Sequence, residues 1–262
     1  MSASLLIAMP EGSARDELAA AVSSRGPAVE TCDPGDLERL TSLSRGRDAV
    51  VHVAGEDAFE AAAGLGPGAA AAVAEVAAEA GARLVFCSSV LIYADGGSDE
   101  LMANDPELDP VEALRPLADA ELEVFGSRAE VLVLRLGILL ARGSVAAESL
   151  RAEVEAGRGV EGTAFVPILD RGTLASAIAS TAASSLHGGW DVVSSCAVGE
   201  ELFHLAAGAV GAREPGVRPD GEMGPEAVCR WRVSRLVTGA ALREAGAVDA
   251  MDWRVTTREA LG

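Results

Sequence analysis

The sequence predicts an α/β protein, a doubly wound parallel sheet with a smaller C-terminal region. Short strand-like runs alternate with helix-like stretches from the start, the pattern of a parallel sheet covered by helices on both faces. At 262 residues the chain is long enough to bury a full hydrophobic core as one generous domain. Beyond Gly143 the elements become shorter, which marks the change of character.

Residues 5–9 are apolar, have no basic residue before them and meet Glu11 at once, so they read as a first buried strand and not as a signal peptide. Residues 12–25 repeat apolar positions at helical spacing and stop at Gly26, a helix C-terminal glycine. A second strand is expected at 27–31, a short helix at 36–45, and a third strand at 49–53 that ends in Ala54-Gly55. The alanine-rich stretch 69–82 contains Glu75 and Glu79 and falls far short of the ~20 apolar residues of a membrane span. It predicts a packed helix at 68–80. A fourth strand at 83–88 ends in Ser88-Ser89, and a loop rich in Asp, Gly, Asn and Pro covers 94–110. A helix at 111–126 and a strand at 130–135 complete the first part.

Later elements are a helix at 145–156, a strand at 163–167, a helix at 171–186, a strand at 190–193 and a helix at 199–210. A Gly/Pro-rich stretch, 211–225, separates these from the last helices. The expected division is a nucleotide-fold core over 1–143 and a smaller region over 144–262, partly interleaved with it.

A net charge of −19 repels phosphate backbones and anionic head groups, so nucleic acid and membrane surfaces are excluded as expected partners and small molecules favoured. Every one of the 21 basic residues is arginine, which excludes lysine Schiff-base chemistry and fits a GC-rich coding sequence. Cys32, Cys87, Cys196 and Cys229 are widely spaced, with no CxxC pair and no clustered histidines. Neither a metal site nor a disulfide framework is expected, and the free thiols suit a reducing cytoplasm.

Three segments recur in one order: Asp48-Ala-Val-Val-His-Val-Ala-Gly55, Leu84-Val-Phe-Cys-Ser-Ser-Val-Leu-Ile-Tyr93 and Val131-Leu-Val-Leu-Arg-Leu-Gly137. Val166-Pro-Ile-Leu-Asp170 and Gly189-Trp-Asp-Val-Val193 follow, each before a helix. Together they resemble the extended short-chain dehydrogenase/reductase family, the NAD-dependent epimerase/dehydratase group, over essentially the whole chain. The resemblance implies a Rossmann-type fold, with a dinucleotide at the C-terminal edge of the sheet and a substrate-side C-terminal region. It also implies a homodimer, packed through the helices at 68–80 and 111–126.

The family's first turn carries three glycines so that backbone can approach a pyrophosphate. Here, aligned on Gly12, Met9 and Arg15 stand at the first and third positions, and Glu11 adds a carboxylate. Downstream, Asp36-Leu37 matches the pair that meets adenine, Ala54 and Gly55 match the small residues that leave room for the ribose, and Asp33 could accept from ribose hydroxyls. These keep NAD(P) open as the alternative to the favoured reading of no cofactor.

The catalytic signature departs further. Ser89, four residues before Tyr93, stands at the family's serine position. Aligned on Glu121, the YxxxK pair falls on Ala113 and Leu117, and Tyr93 is the only tyrosine in the chain. His52 and His204 read as satisfied core histidines, His187 as a solvated turn residue, Asp170 as a helix N-cap and Glu200-Glu201 as a solvated first turn. The preferred expectation is a degenerate family member, a non-redox cyclase, dehydratase or isomerase acting on a hydrophobic small molecule, with Ser89 and Tyr93 as its catalytic groups. The alternatives are an NAD(P)-dependent oxidoreductase or epimerase with displaced catalytic groups, and a non-catalytic small-molecule sensor.

Overall fold

Strand composition ranks the strands by depth. AVVHV and RLVFCSS are buried along their whole length, whereas AVETC alternates exposed and half-buried positions, so the first two belong in the middle of a sheet and the third at its edge. A computed structural model describes residues 3–262 except 102, 104–106, 161, 163, 183, 213–215, 218–222 and 250. In chain order its first half holds β1 (Ser4–Ala8), α1 (Ser13–Ser23), β2 (Ala28–Cys32), α2 (Leu37–Ser44), β3 (Ala49–Val53), α3 (Ala58–Gly64), α4 (Ala69–Ala80), β4 (Arg83–Ser89), α5 (Arg115–Phe125) and β5 (Val131–Leu136). Then come β6 (Ile138–Leu139), α6 (Val145–Glu155), β7 (Arg158–Gly159), β8 (Phe165–Leu169), α7 (Arg171–Thr181), β9 (Gly188–Val192), β10 (Ser195–Val198), α8 (Gly199–Val210), β11 (Gly216–Val217), α9 (Pro225–Trp231), α10 (Ala240–Glu244) and α11 (Trp253–Leu261).

The main sheet has the order β2-β1-β3-β4-β5-β9, every pair parallel. This is the Rossmann-type, doubly wound architecture. Residues alternate between its faces: Leu6, Val50, Leu84, Phe86 and Val133 join the core under α2, α4 and α5, and Leu5, Ile7, Val51, Val85 and Leu134 join the core under α1 and α7. A second layer is built on the three-stranded sheet β10-β8-β6, where Val166, Ile168, Leu202, Phe203 and Trp231 extend the first core. Phe203 and Trp231 meet edge-to-face at 6.2 Å.

Both α7 and β9 come from the second half of the chain yet complete the main sheet and its cover. Helix α4 ends on Gly81 at φ +68, a left-handed cap that a side chain would strain. The expected helix at 171–186 stops at Thr181, and the one at 111–126 opens as a 3-10 turn over Glu112–Leu114 before Pro116 admits the α-helix. Helix α3 has no counterpart in the sequence reading. Among the described residues no single helix is long and apolar enough to cross a membrane. All four cysteines are free.

Candidate functional site

In doubly wound sheets ligands settle beyond the carboxyl ends of the strands, where the winding direction reverses. Here that point lies between β1 and β3, so the turn Met9-Pro-Glu-Gly12 faces the turn Ala54-Gly-Glu-Asp57. Met9 is buried among Leu5, Ile7, Leu18 and Val22, so its side chain fills the core rather than the crevice, a correction to the reading that set it in the pyrophosphate's path. Gly12 takes φ +155, ψ 171, a conformation glycine alone adopts freely, and a Cβ there would meet nothing within 4 Å. Arg15 turns back to Glu11 and Asp16, 3.8 Å from each.

Across the crevice runs a charged strap. Arg171, at the start of α7, pairs with Glu17 of α1 and, at 3.1 Å, with Glu56 of the β3 turn. Beside it Arg230 of α9 is 3 % exposed and makes two hydrogen bonds to Asp57, at 2.7 and 3.2 Å. The same guanidinium lies 4.5 Å from the centre of the Phe59 ring.

Gly55 is small for a different reason from the one its sequence context offered. A Cβ there would come within 2.8 Å of the Ala61 backbone nitrogen, so α3 occupies the room expected for a ribose. Ala54 is buried in the core beside α3. Asp33 Oδ1 accepts from Gly35 N at 2.8 Å and Asp36 accepts from Arg39 N at 3.0 Å as the cap of α2, which leaves Leu37 exposed at the helix start.

At the end of β4, Ser89 Oγ donates to the Leu136 carbonyl at 3.3 Å and accepts from Leu91 N at 3.1 Å, capping the 3-10 turn Val90–Ile92. Its cavity, closed by Gly55, Asp57, Leu117 and Leu136, measures about 20 Å³, room for a water molecule. The buried Ser88 Oγ beside it has no hydrogen-bond partner among the described residues. That space is the size of a water molecule, and of the cations described at the crevice Arg171 and Arg230 are held in close ion pairs, whereas Arg15 approaches Glu11 and Asp16 only to 3.8 Å.

Tyr93 does not join Ser89. Its hydroxyl donates to Asp191 Oδ1 of β9 at 2.5 Å and accepts from Arg135 Nη1 of β5 at 3.2 Å. Arg135 Nε reaches both oxygens of Glu121 on α5 at 2.9 and 3.1 Å, Nη2 also bonds Glu121, and Nη1 donates to the Ala103 carbonyl at 2.8 Å. Register explains the meeting: Arg135 lies opposite Asp191 in the β5–β9 ladder, and Gly189 lacks the Cβ that would sit 2.7 Å from Arg135 Nη1. All four side chains are buried. Burial, then the Asp191 charge, pushes the Tyr93 hydroxyl far up, and burial lifts the Asp191 carboxyl to about 6. Burial opposes the Arg135 charge, yet the Glu121 carboxylate holds that guanidinium above its ordinary value.

Asp191 was not singled out from sequence, nor was the cavity of about 350 Å³ that it lines together with Glu100, Leu101, Ala103, Thr238 and Ala241. The signal present was a carboxylate inside an apolar strand. Asp170 caps α7 as expected, accepting from Thr173 N at 2.9 Å and Ser194 Oγ at 2.7 Å. His52 is buried, its Nδ1 has no hydrogen-bond partner among the described residues, and burial lowers its pKa to about 4. It is a core histidine but not a satisfied one. His204, in contrast, faces solvent beside Glu200 at 3.9 Å, because its position on α8 falls outside the buried stripe of Leu202, Phe203, Ala206 and Ala207. His187 is exposed. No cluster of three or more His, Cys, Asp or Glu side chains suited to a metal ion occurs among the described residues.

No family model and no curated protein matches the sequence. Solved structures do match the fold. The chain is similar to the Bordetella bronchiseptica enzyme WbmG, solved with NAD and UDP (TM-score 0.73, 17 % identity, 100 % of this chain and 94 % of that one). It is similar to dTDP-4-dehydrorhamnose reductase of Bacillus anthracis, solved with NADP (0.76, 13 % identity, 99 % and 98 % covered). It is also similar to UDP-glucose 4-epimerase of Thermus thermophilus, solved with NAD (0.72, 15 % identity, 98 % and 97 % covered). The resemblance read from the ordered motifs thus holds at the level of fold, and the structural neighbours are enzymes that bind NAD or NADP.

Proposed function

We propose that this chain is a small-molecule enzyme on a dinucleotide-enzyme fold that works without hydride transfer, as a cyclase, dehydratase or isomerase of a hydrophobic compound. The observation that carries the reading is the space of about 20 Å³ at the end of β4, where Leu117 stands on the helix that lacks a tyrosine and lysine pair. Rate acceleration then comes from holding a substrate in a reactive conformation and from fixed hydrogen-bonding groups, neither of which needs a nicotinamide. We place the protein in the cytoplasm as a homodimer packed through α4 and α5, where Leu122 and Phe125 stand exposed.

The competing reading, an NAD(P)-dependent oxidoreductase or epimerase, is favoured by the NAD(P) bound to the structural neighbours and by the open face of Gly12. Isothermal titration calorimetry with NAD⁺, NADH, NADP⁺ and NADPH separates the two. Weak or absent binding is expected. A dissociation constant at or below about 10 μM, roughly 7 kcal/mol of binding, overturns the proposal.

A further inference from the structure

The cavity of about 350 Å³ lies along the outer edge of β9, the last strand of the sheet, and shares no lining residue with the Ser89 space. Its other walls are the loop at Glu100, Leu101 and Ala103, and the start of α10 at Ala240 and Ala241. Thr238 and Glu100 close one side through a 2.5 Å hydrogen bond. Most of the lining is aliphatic or glycine, and a volume of this size suits a small organic molecule.

Its chemistry is set by the carboxylates. Asp191 is 8 % exposed, and Tyr93 occupies only its Oδ1. No described residue donates to Oδ2, and Asp191 is the only member of the buried network that lines the cavity. A ligand that fills this space takes water from beside that oxygen, and a buried carboxylate oxygen left without a donor is unfavourable. The occupant must therefore supply a donor at that point. An anion would face Asp191 and Glu100, the only charged side chains among the described lining residues; of the guanidiniums behind the wall, Arg135 is committed through Nε, Nη1 and Nη2 to Glu121, Tyr93 and Ala103, and Arg243 stands behind Gly239. A neutral hydroxyl satisfies the hydrogen bond alone. An ammonium satisfies the bond and the charge.

We propose that this cavity is a recognition site for a compact apolar molecule bearing one protonated amine, with Asp191 Oδ2 as the anchor and Leu101, Ala103 and Ala241 around the apolar body. The inference deepens the reading above, on which it rests in taking this cavity rather than the edge cleft as the place where a small molecule sits. Asp191 is here a binding residue, and Tyr93 and Arg135 are positioning residues that hold its other oxygen.

The test is a matched series of probes, tryptamine, tryptophol and indole-3-propionate, titrated calorimetrically into the purified chain at pH 7.5. Tryptamine is expected to bind at least tenfold more tightly than tryptophol, with indole-3-propionate weakest. Asp191→Asn keeps an acceptor for Tyr93 and should bring tryptamine to within about threefold of tryptophol while leaving tryptophol unchanged, a split that a general loss of structure would not produce. Ala241→Phe, at an exposed position of α10, should abolish binding of both probes by filling the cavity. The site is refuted if indole-3-propionate binds best, if no probe binds at 1 mM, or if tryptamine affinity survives either substitution. Tight NAD(H) binding in the same preparation would sink the non-redox reading and leave the amine series to decide the site on its own.

Discussion

Two buried arginines show opposite ways of handling charge. At the C-terminal edge, Arg230 and Asp57 close on each other, Arg171 ties Glu17 to Glu56, and the remaining space admits a water molecule. At the outer strand, Arg135 and Glu121 also close on each other, but the adjoining Asp191 lines a cavity more than ten times larger and has one oxygen with no donor among the described residues. At the fold's usual ligand position these carboxylates and guanidiniums answer one another in ion pairs, whereas the carboxylate with one oxygen unbonded among the described residues lies at the outer strand. Room and residual charge together locate a site better than position in the fold does.

The comparison breaks most visibly at the joint. Asp57→Ala removes both hydrogen bonds to Arg230 and the cap on Phe59 N, leaving the guanidinium only Glu226 at 3.5 Å, and removing one partner of a buried pair costs about 3–5 kcal/mol. For a chain of this length that is a fall in melting temperature on the order of 10 °C, measurable by calorimetry. A change below about 1 kcal/mol would mean that the pair is solvated and the edge not closed.

Acid should sharpen the contrast, because the two sides titrate in opposite senses. His52 on β3 binds its proton at about 4 when folded but near 6.5 when unfolded, so its stabilising share, full above 6.5, is lost as pH falls toward 4. The range amounts to roughly 3 kcal/mol. His52→Phe should flatten that limb in urea titrations run from pH 7.5 to 4.5; an unchanged slope would reject a buried neutral imidazole.

Asp191 runs the other way: its folded value of about 6 exceeds the unfolded 3.8, so the native state is penalised above pH 6 and the penalty fades as pH falls toward 3.8. The groups facing it are Tyr93, Arg135 of β5 and, through Arg135, Glu121 of α5, with Glu100 across the cavity. Asp191→Asn should therefore be more stable than the parent at pH 7.5, by about 1–2 kcal/mol after the altered hydrogen bond is counted, and lose that advantage near pH 4.5. Destabilisation at pH 7.5 would show that the carboxylate is held by contacts stronger than those described.

The smallest effect on stability belongs to the surface. Leu122→Glu should change the melting temperature by little while converting the proposed dimer to a monomer in light scattering at tens of micromolar. A parent that is already monomeric rejects that interface.

The main sheet was legible because its strands are apolar words bounded by turns, and their limits shifted by only one or two residues. Helix α3 was not, since seven residues carry too little periodicity to read. It stands because Asp57 caps it and because Phe59 lies under a guanidinium contributed by residue 230. For the site, Arg135 and Asp191 were both visible as charges inside apolar strands, and Glu121 as the anchor of a helix alignment. That Arg135 and Asp191 meet depends on the β5–β9 register, which no local pattern encodes. The crevice residues Asp33, Asp36 and Gly55 carry local duties, a turn, a cap and a helix contact, that look the same in sequence as duties toward a ligand.

The Asp57–Arg230 joint also has a place in time. Its partners are 173 residues apart, so during synthesis Asp57 leaves the ribosome long before the arginine that will cover it. At roughly 5–20 residues per second the interval is about 9–35 s, longer than most sheet-forming steps. In that window the first five strands of the main sheet can assemble with Asp57 still open to water, and the chain passes through a form in which a carboxylate that the finished molecule buries is solvated.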